Sequence, residues 1–91
     1  MSGFDWEDSK AEENHRRHRV TFDEAETVLD NPLSWRSADE AHSWREERFK
    51  VVGWSSVDRL LMVVVSESGY VPRIISARRA TKRERDAYID G

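Results

Sequence analysis

Two kinds of side chain in this sequence can do chemistry unaided: groups that move protons, and cations that hold an anion. The proton-moving candidates are His18, and Glu46 and Glu47 beside Arg48. The cations gather in the run Arg73 to Arg85, which carries Arg73, Arg78, Arg79, Lys82, Arg83 and Arg85. A histidine in the last turn of a helix faces the negative end of the helix dipole, which favours imidazolium and presents a proton donor. His18 stands where such a helix would end; simple capping is the alternative. Glu47 and Arg48 stand where a loop would meet a strand, so a scaffold holds them while solvent still reaches them. A carboxylate in that setting can take a proton from a hydroxyl such as a ribose 2′-OH, and solvated charge at a strand start is the competing reading. Arginine grips phosphate oxygens with two prongs, stays charged, and suits stabilisation of a pentacovalent phosphorane. If Arg78 and Arg79 both lie in a strand they point to opposite faces, so only one reaches a given phosphate. The same basic run also fits an acidic protein partner, and both readings stay open at this point.

Other chemistries lack a signal. His15 and His18 are three apart and could share an ion, yet no third ligand stands at a matching helical position, so no metal and no cofactor are expected. There is no phosphate-cradling glycine loop, no His-Glu-x-x-His and no Gly-x-Ser-x-Gly.

The elements that must position these groups are legible from spacing. Glu7 to His18 lacks Gly, Pro and β-branched residues and predicts a helix with Asp5 as its cap and Phe4 and Trp6 as its anchors. Lys10, Asn14 and His18 fall four apart and share one face, a polar stripe where a core helix would be apolar. Thr21 with Glu24 reads as a capping box opening a second helix, with Phe22, Ala25, Val28 and Leu29 on its core face and Asp30-Asn31-Pro32 ending it; Val20 and Ala25 form its staple. Leu33 to Arg36 is a short strand and Ser37 to Trp44 a loop. Glu47 to Ser55 alternates as a half-exposed strand, Ser55 to Asp58 turns, and Leu60 to Val65, apolar on both faces, is a central strand. Ser66 to Gly69 turns into a strand from Tyr70 to Arg78, where Pro72 must sit at an edge, a bulge or the strand's start. Thr81 with Glu84 caps a final, highly charged helix through Ile89. The result is one α+β domain over residues 1–91: two N-terminal helices, an antiparallel sheet of three to four strands, and a C-terminal helix. The helices are expected on one face, leaving the other free to bind.

Composition adds bounds. The formal net charge of −3 argues against a polyanion partner at face value. The charges are segregated, however, with acids such as Glu7, Asp8, Glu12, Glu13, Asp23 and Glu24 early and the basic run late. The absence of cysteine suits a reducing compartment, and no apolar stretch is long enough to span a bilayer. Trp35, Trp44 and Trp54 stand in weakly apolar contexts, fit either to stack on bases or to fill a protein interface.

Several blocks together resemble the BrnT family, the toxin half of bacterial type II toxin-antitoxin pairs. Phe4-Asp5-Trp6, Lys10, Asn14 and His18 followed by Val20-Thr21-Phe22-Asp23-Glu24-Ala25 resemble the family's opening. Glu46-Glu47-Arg48-Phe49 with Val52-Gly53 resembles its first long strand, and Arg73 through Arg85 with Tyr88 its closing signature. The resemblance spans nearly the whole chain. It implies a RelE-like fold and a cytoplasmic, metal-independent endoribonuclease that suppresses translation. It also implies a BrnA-type antitoxin with a ribbon-helix-helix part, in a hetero-oligomer such as 2:2, through which alone the toxin would meet promoter DNA. The site it implies takes His18, Glu47, Arg48, Arg78 and Arg79 as catalytic residues, with Lys10, Arg73, Lys82, Arg83, Arg85 and Tyr88 on the RNA. The rival reading is a non-catalytic module that only binds RNA or the antitoxin. One departure is Arg19, where the family usually has glycine after the helix-ending histidine; a left-handed turn there would strain any other residue.

Overall fold

The structure is a computed structural model in which residues 3–39 and 47–91 are described. Glu46, Trp44 and most of the loop expected before them lie outside those residues. The elements run α1 (Asp8–His18), α2 (Phe22–Leu29), β1 (Trp35–Ala38), β2 (Arg48–Trp54), β3 (Leu60–Ser66), β4 (Arg73–Arg79) and α3 (Lys82–Asp90). The four strands form one antiparallel sheet in the order β1-β2-β3-β4.

The doubly apolar run is the interior of the sheet, as its composition requires: every residue of β3 is buried. β2 alternates, with Phe49, Val51 and Gly53 turned inward and Arg48, Lys50, Val52 and Trp54 outward. Against the inward face lie Val20, Phe22, Ala25 and Val28, packed on Val51, Leu61, Val63 and Ile74. Gly53 is obligatory here, since a Cβ would fall 1.9 Å from Ser34 Oγ. Trp6 meets Phe22 edge-on at 6.0 Å, so the aromatic anchor before α1 is real.

The structure corrects several boundaries. α1 starts at Asp8 with Glu7 at its cap position and no side-chain cap. Asp5, expected as that cap, instead pairs with β4: its N–H donates to Pro72 O at 2.9 Å and its C=O accepts from Ile74 N–H at 2.8 Å. An unpaired strand edge offers a stronger partner than one helix end. Thr21 Oγ1 accepts from Glu24 N–H at 3.1 Å, but the Glu24 carboxylate is engaged by Arg59, so the first capping box is only half made. The second, Thr81 with Glu84, is complete. β1 begins at Trp35 rather than Leu33 and takes in Ser37 and Ala38, assigned above to the loop. β4 begins after Pro72 rather than at Tyr70, and its register slips opposite Val64 and Val65, which leaves Ile75 as the extra residue.

The last correction concerns layers. Trp54 and Val52 point away from α2, Trp35 is paired with Val52, and α3 meets that outer side. Tyr88 Oη donates to Leu33 O at 2.9 Å, its ring lies 5.3 Å from Trp35, and the Arg85 guanidinium sits 5.7 Å from the Trp54 ring. α3 has no buried residue and so no apolar stripe with which to join the other helices. It lies across the opposite face, held by these few contacts, and that face is not wholly free.

Candidate nucleic-acid interface

The position of α1 depends on one buried amide. Asn14 is 6% exposed, and its Nδ2 donates to Val20 O at 2.9 Å and to Ala77 O at 2.8 Å while its Oδ1 accepts from Ala77 N–H at 3.0 Å. Asn14 thus acts as a one-residue strand partner for the outer edge of β4, completing what Asp5 does at Pro72 and Ile74. Between these two attachments the bulged edge around Ile75 and Ser76 stays open, and a groove runs along it.

Lys10 and His18 stand one helical turn either side of Asn14, so fixing Asn14 fixes both. They line a pocket of about 210 Å³ with Arg17, Ile75 and Ser76. Lys10 and Ile75 also line a neighbouring pocket of about 420 Å³ with Ser68, Tyr70 and Arg73, which makes the groove continuous from the α1 C-terminus to the turn between β3 and β4. Arg73 reaches Asp5 at 3.1 Å and Glu7 at 3.5 Å. Behind His18, Arg19 takes φ 58° and ψ 32°, the left-handed conformation, and its N–H donates to His15 O at 2.8 Å. Its own carbonyl accepts from Arg59 at 3.0 Å. The non-glycine residue is held in the turn by hydrogen bonding at both ends.

At the far end of β4 the two arginines part as alternation requires. Arg78 pairs in register with Met62 on the α3 side, and Arg79 with Leu61 on the side of α1 and α2. Arg78 grips both carboxylate oxygens of Glu84, at 2.8 and 3.0 Å. That guanidinium, with the N–H of Thr81, holds the Glu84 carboxyl below the usual carboxylate range despite partial burial. Arg79 is exposed and close enough to Glu24 to help lower its pKa, although the main cause there is the Arg59 guanidinium, with the Ser55 hydroxyl assisting. Lys82 binds Asp86 at 2.7 Å on the outer side of α3, Arg83 is exposed, and Arg85 covers Trp54. Tyr88 is the strut of α3 described above.

Glu47 and Arg48 do not join this group. They line a separate pocket of about 530 Å³ with Arg36, Phe49 and Glu67, in which Arg36 binds Glu67 at 2.6 Å and covers the Phe49 ring. Arg48 pairs with Ser66 and Arg78 with Met62, positions four residues apart along β3, roughly 13 Å at the usual strand rise. The arrangement therefore brings Lys10, His18 and Arg73 together along one edge, with Arg78 and Arg79 at its end, and leaves Glu47 and Arg48 two strands away. Among the described residues no group of three or more His, Asp or Glu is placed to hold a metal ion.

Sequence reasoning missed Asn14 as the attachment, Glu84 as the partner of Arg78, and Arg17, Tyr70 and Ser76 as groove residues. The signal for Asn14 was available: an amide midway along a polar stripe, flanked at four-residue spacing by Lys10 and His18, on a helix with no large apolar residue of its own.

Three comparisons bear on this geometry. A family model described as the ribonuclease toxin BrnT of type II toxin-antitoxin systems matches residues 6–84. The fold is similar to the crystal structure of the Brucella abortus ribonuclease toxin BrnT, with a TM-score of 0.66 at 20% sequence identity, covering 87% of this chain and 96% of that one. None of the curated proteins matches.

Proposed function

This chain belongs to the BrnT family of ribonuclease toxins of type II toxin-antitoxin systems, and from that premise we propose that it is a cytoplasmic, metal-independent endoribonuclease with a RelE-like fold. In this reading it cuts RNA, arrests translation, and is silenced by a BrnA-type antitoxin that carries the DNA-binding part of the complex. The observation that supports it best is the groove in which Lys10 and His18 flank the Asn14 anchor, with Arg73 at one end of β4 and Arg79 at the other. Seven strand residues from Arg73 to Arg79 span roughly 20 Å, room for a few nucleotides of extended RNA.

The chemistry proposed is attack of a ribose 2′-oxygen on the adjacent phosphorus. The bond from phosphorus to the 2′-oxygen forms and that to the 5′-oxygen breaks, giving a 2′,3′-cyclic phosphate and a free 5′-hydroxyl. His18 handles a proton, either from the 2′-hydroxyl or to the leaving oxygen. Arg79, with Arg78 once it is released from Glu84, stabilises the charge that gathers on the phosphorane oxygens. Glu47 and Arg48 lie too far from the arginine pair to share one phosphate with it, and in this proposal they contact a more distant nucleotide.

The test is cleavage of purified RNA in EDTA by the wild type and by His18→Ala and Arg78→Ala/Arg79→Ala variants, with end-group analysis. Metal-free cleavage leaving 5′-hydroxyl ends, lost in the variants, is the expected result. A 5′-phosphate product would refute the chemistry. RNA binding without cutting at any enzyme concentration would favour the non-catalytic module, a reading the carboxylate partners of Arg73 and Arg78 lend some support.

A further inference from the structure

We propose that Tyr70 is a base-stacking platform that seats one nucleotide of single-stranded RNA in the pocket between the β3–β4 turn and α1. The inference rests on the ribonuclease reading above and names a residue that reading does not use. The first observation is how the aromatic rings are distributed. Phe4, Trp6, Phe22 and Phe49 belong to the core or pack on it, Trp35 and Tyr88 lie against each other, and Trp54 is covered by Arg85. Tyr70 stands apart. It is fully exposed, and among the described residues it has neither a ring partner nor a hydrogen bond.

The second observation is where the ring is held. The turn leaves Val71 half-exposed beside it, and both line the pocket of about 420 Å³ that also receives Lys10 and Arg73. That volume is within the range of small-molecule sites and admits a nucleoside. A π-face open to solvent accepts any base, and stacking on it is sequence-tolerant. The backbone phosphate of a nucleotide whose base stacks on Tyr70 meets Lys10, which has no carboxylate partner among the described residues. From there the groove continues past Ile75 and Ser76 to His18, so the stacked nucleotide lies one step along the strand from the proton-transfer group. Stacking plus one cation recognises single-stranded RNA, whereas a duplex keeps its base faces covered.

The experiment is binding of a short, non-cleavable 2′-O-methyl RNA to the full chain, by fluorescence anisotropy across a salt series. Tyr70→Ala should weaken binding roughly ten-fold, while Tyr70→Phe and Tyr70→Trp stay close to wild type. The slope of log Kd against log salt should be unchanged in Tyr70→Ala but smaller by about 0.7 in Lys10→Ala, since only the lysine displaces a counterion. Because Tyr70 is exposed in a turn, circular dichroism of the alanine variant should match the wild type. Wild-type binding with an unchanged Tyr70→Ala overturns this proposal and leaves the ribonuclease reading standing. No binding by the wild type overturns both. Loss of a co-expressed partner protein by Tyr70→Ala, with RNA affinity intact, would assign the ring to a protein interface and also overturn it.

Discussion

Replacing Asn14 by alanine should cost far more than a surface helical substitution, because the amide closes the edge of the sheet. Three hydrogen bonds are lost, two to Ala77 and one to Val20, and both of those residues are fully buried. A net loss of about 1 kcal/mol per bond gives about 3 kcal/mol, and orphaned groups that water cannot reach would raise it towards about 5 kcal/mol. The pocket lined by Asn14 opens to solvent and should admit a water, so the lower figure is the better expectation. A domain of this length is stable by about 5–14 kcal/mol, so the variant keeps its fold with a much lower urea midpoint. Asn14→Asp sharpens the test by placing an oxygen against two carbonyl oxygens. Burial and those lone pairs push the new carboxyl above its ordinary value in the folded state, so its contribution is present below the unfolded value and lost as pH rises. Asn14→Asp should therefore be weaker than Asn14→Ala near neutral pH and recover relative to it near pH 4. Urea unfolding at both pH values measures this. A loss under about 1 kcal/mol for Asn14→Ala, or an Asp variant that does not respond to pH, would refute the edge-closing account.

Glu24 and Glu84 are both held below the ordinary carboxylate range by arginine partners, so their contribution is present above about pH 4.5 and drains away as pH falls through their folded values; thermal melts should drop between about pH 5 and 3, and a Glu24→Gln variant should show a flatter drop. Glu26, raised chiefly by burial, has the opposite sign and should soften the drop slightly. Arg19→Gly relieves a left-handed residue and should raise stability by about 0.5–1 kcal/mol after the added freedom of the unfolded chain is counted, while Arg19→Val should lower it. Glu84→Gln removes the charge that holds Arg78 while its amide oxygen can still accept from Thr81 N–H, so it should lower the melting temperature modestly yet tighten RNA binding; weaker binding would show that Arg78 contributes only as part of the α3 anchor.

The sequence made periodic features legible because period reports burial directly. The full burial of β3, the alternation of β2 and the core face of α2 all followed from side-chain spacing. What period cannot report is which group wins a competition for an orphaned backbone N–H. Asp5 suits a helix cap and an edge-strand partner equally well on the page, and only the third dimension puts Pro72 and Ile74 beside it. Glu24 has the spacing of a capping box, yet Arg59, thirty-five positions on, takes its carboxylate because a guanidinium is the stronger partner. The placement of α3 was hidden for a related reason. Its sequence is too polar to name a face, and the contacts that hold it, Tyr88 to Leu33 and Arg85 over Trp54, join residues far apart in the chain.

The net charge of −3 and a polyanionic substrate are reconciled by the way the cations are stored. Arg73 is held by Asp5 and Glu7, Arg78 by Glu84, Lys82 by Asp86 and Arg36 by Glu67, so each carries its own carboxylate while no phosphate is present. A phosphate that approaches one of these arginines exchanges with a carboxylate rather than neutralising an open charge, and such an exchange releases few counterions. Of the cations along the groove and at its end, Lys10 and Arg79 have no ion pair among the described residues and stand open to an approaching phosphate. In the proposed reading RNA therefore meets Lys10 first, where the two pockets of the groove join, and the paired arginines engage after the strand is in place. The same pairs tie Asp5 to Arg73 and Glu84 to Arg78, so in the proposed reading a substrate ordered along β4 perturbs both ends of that strand.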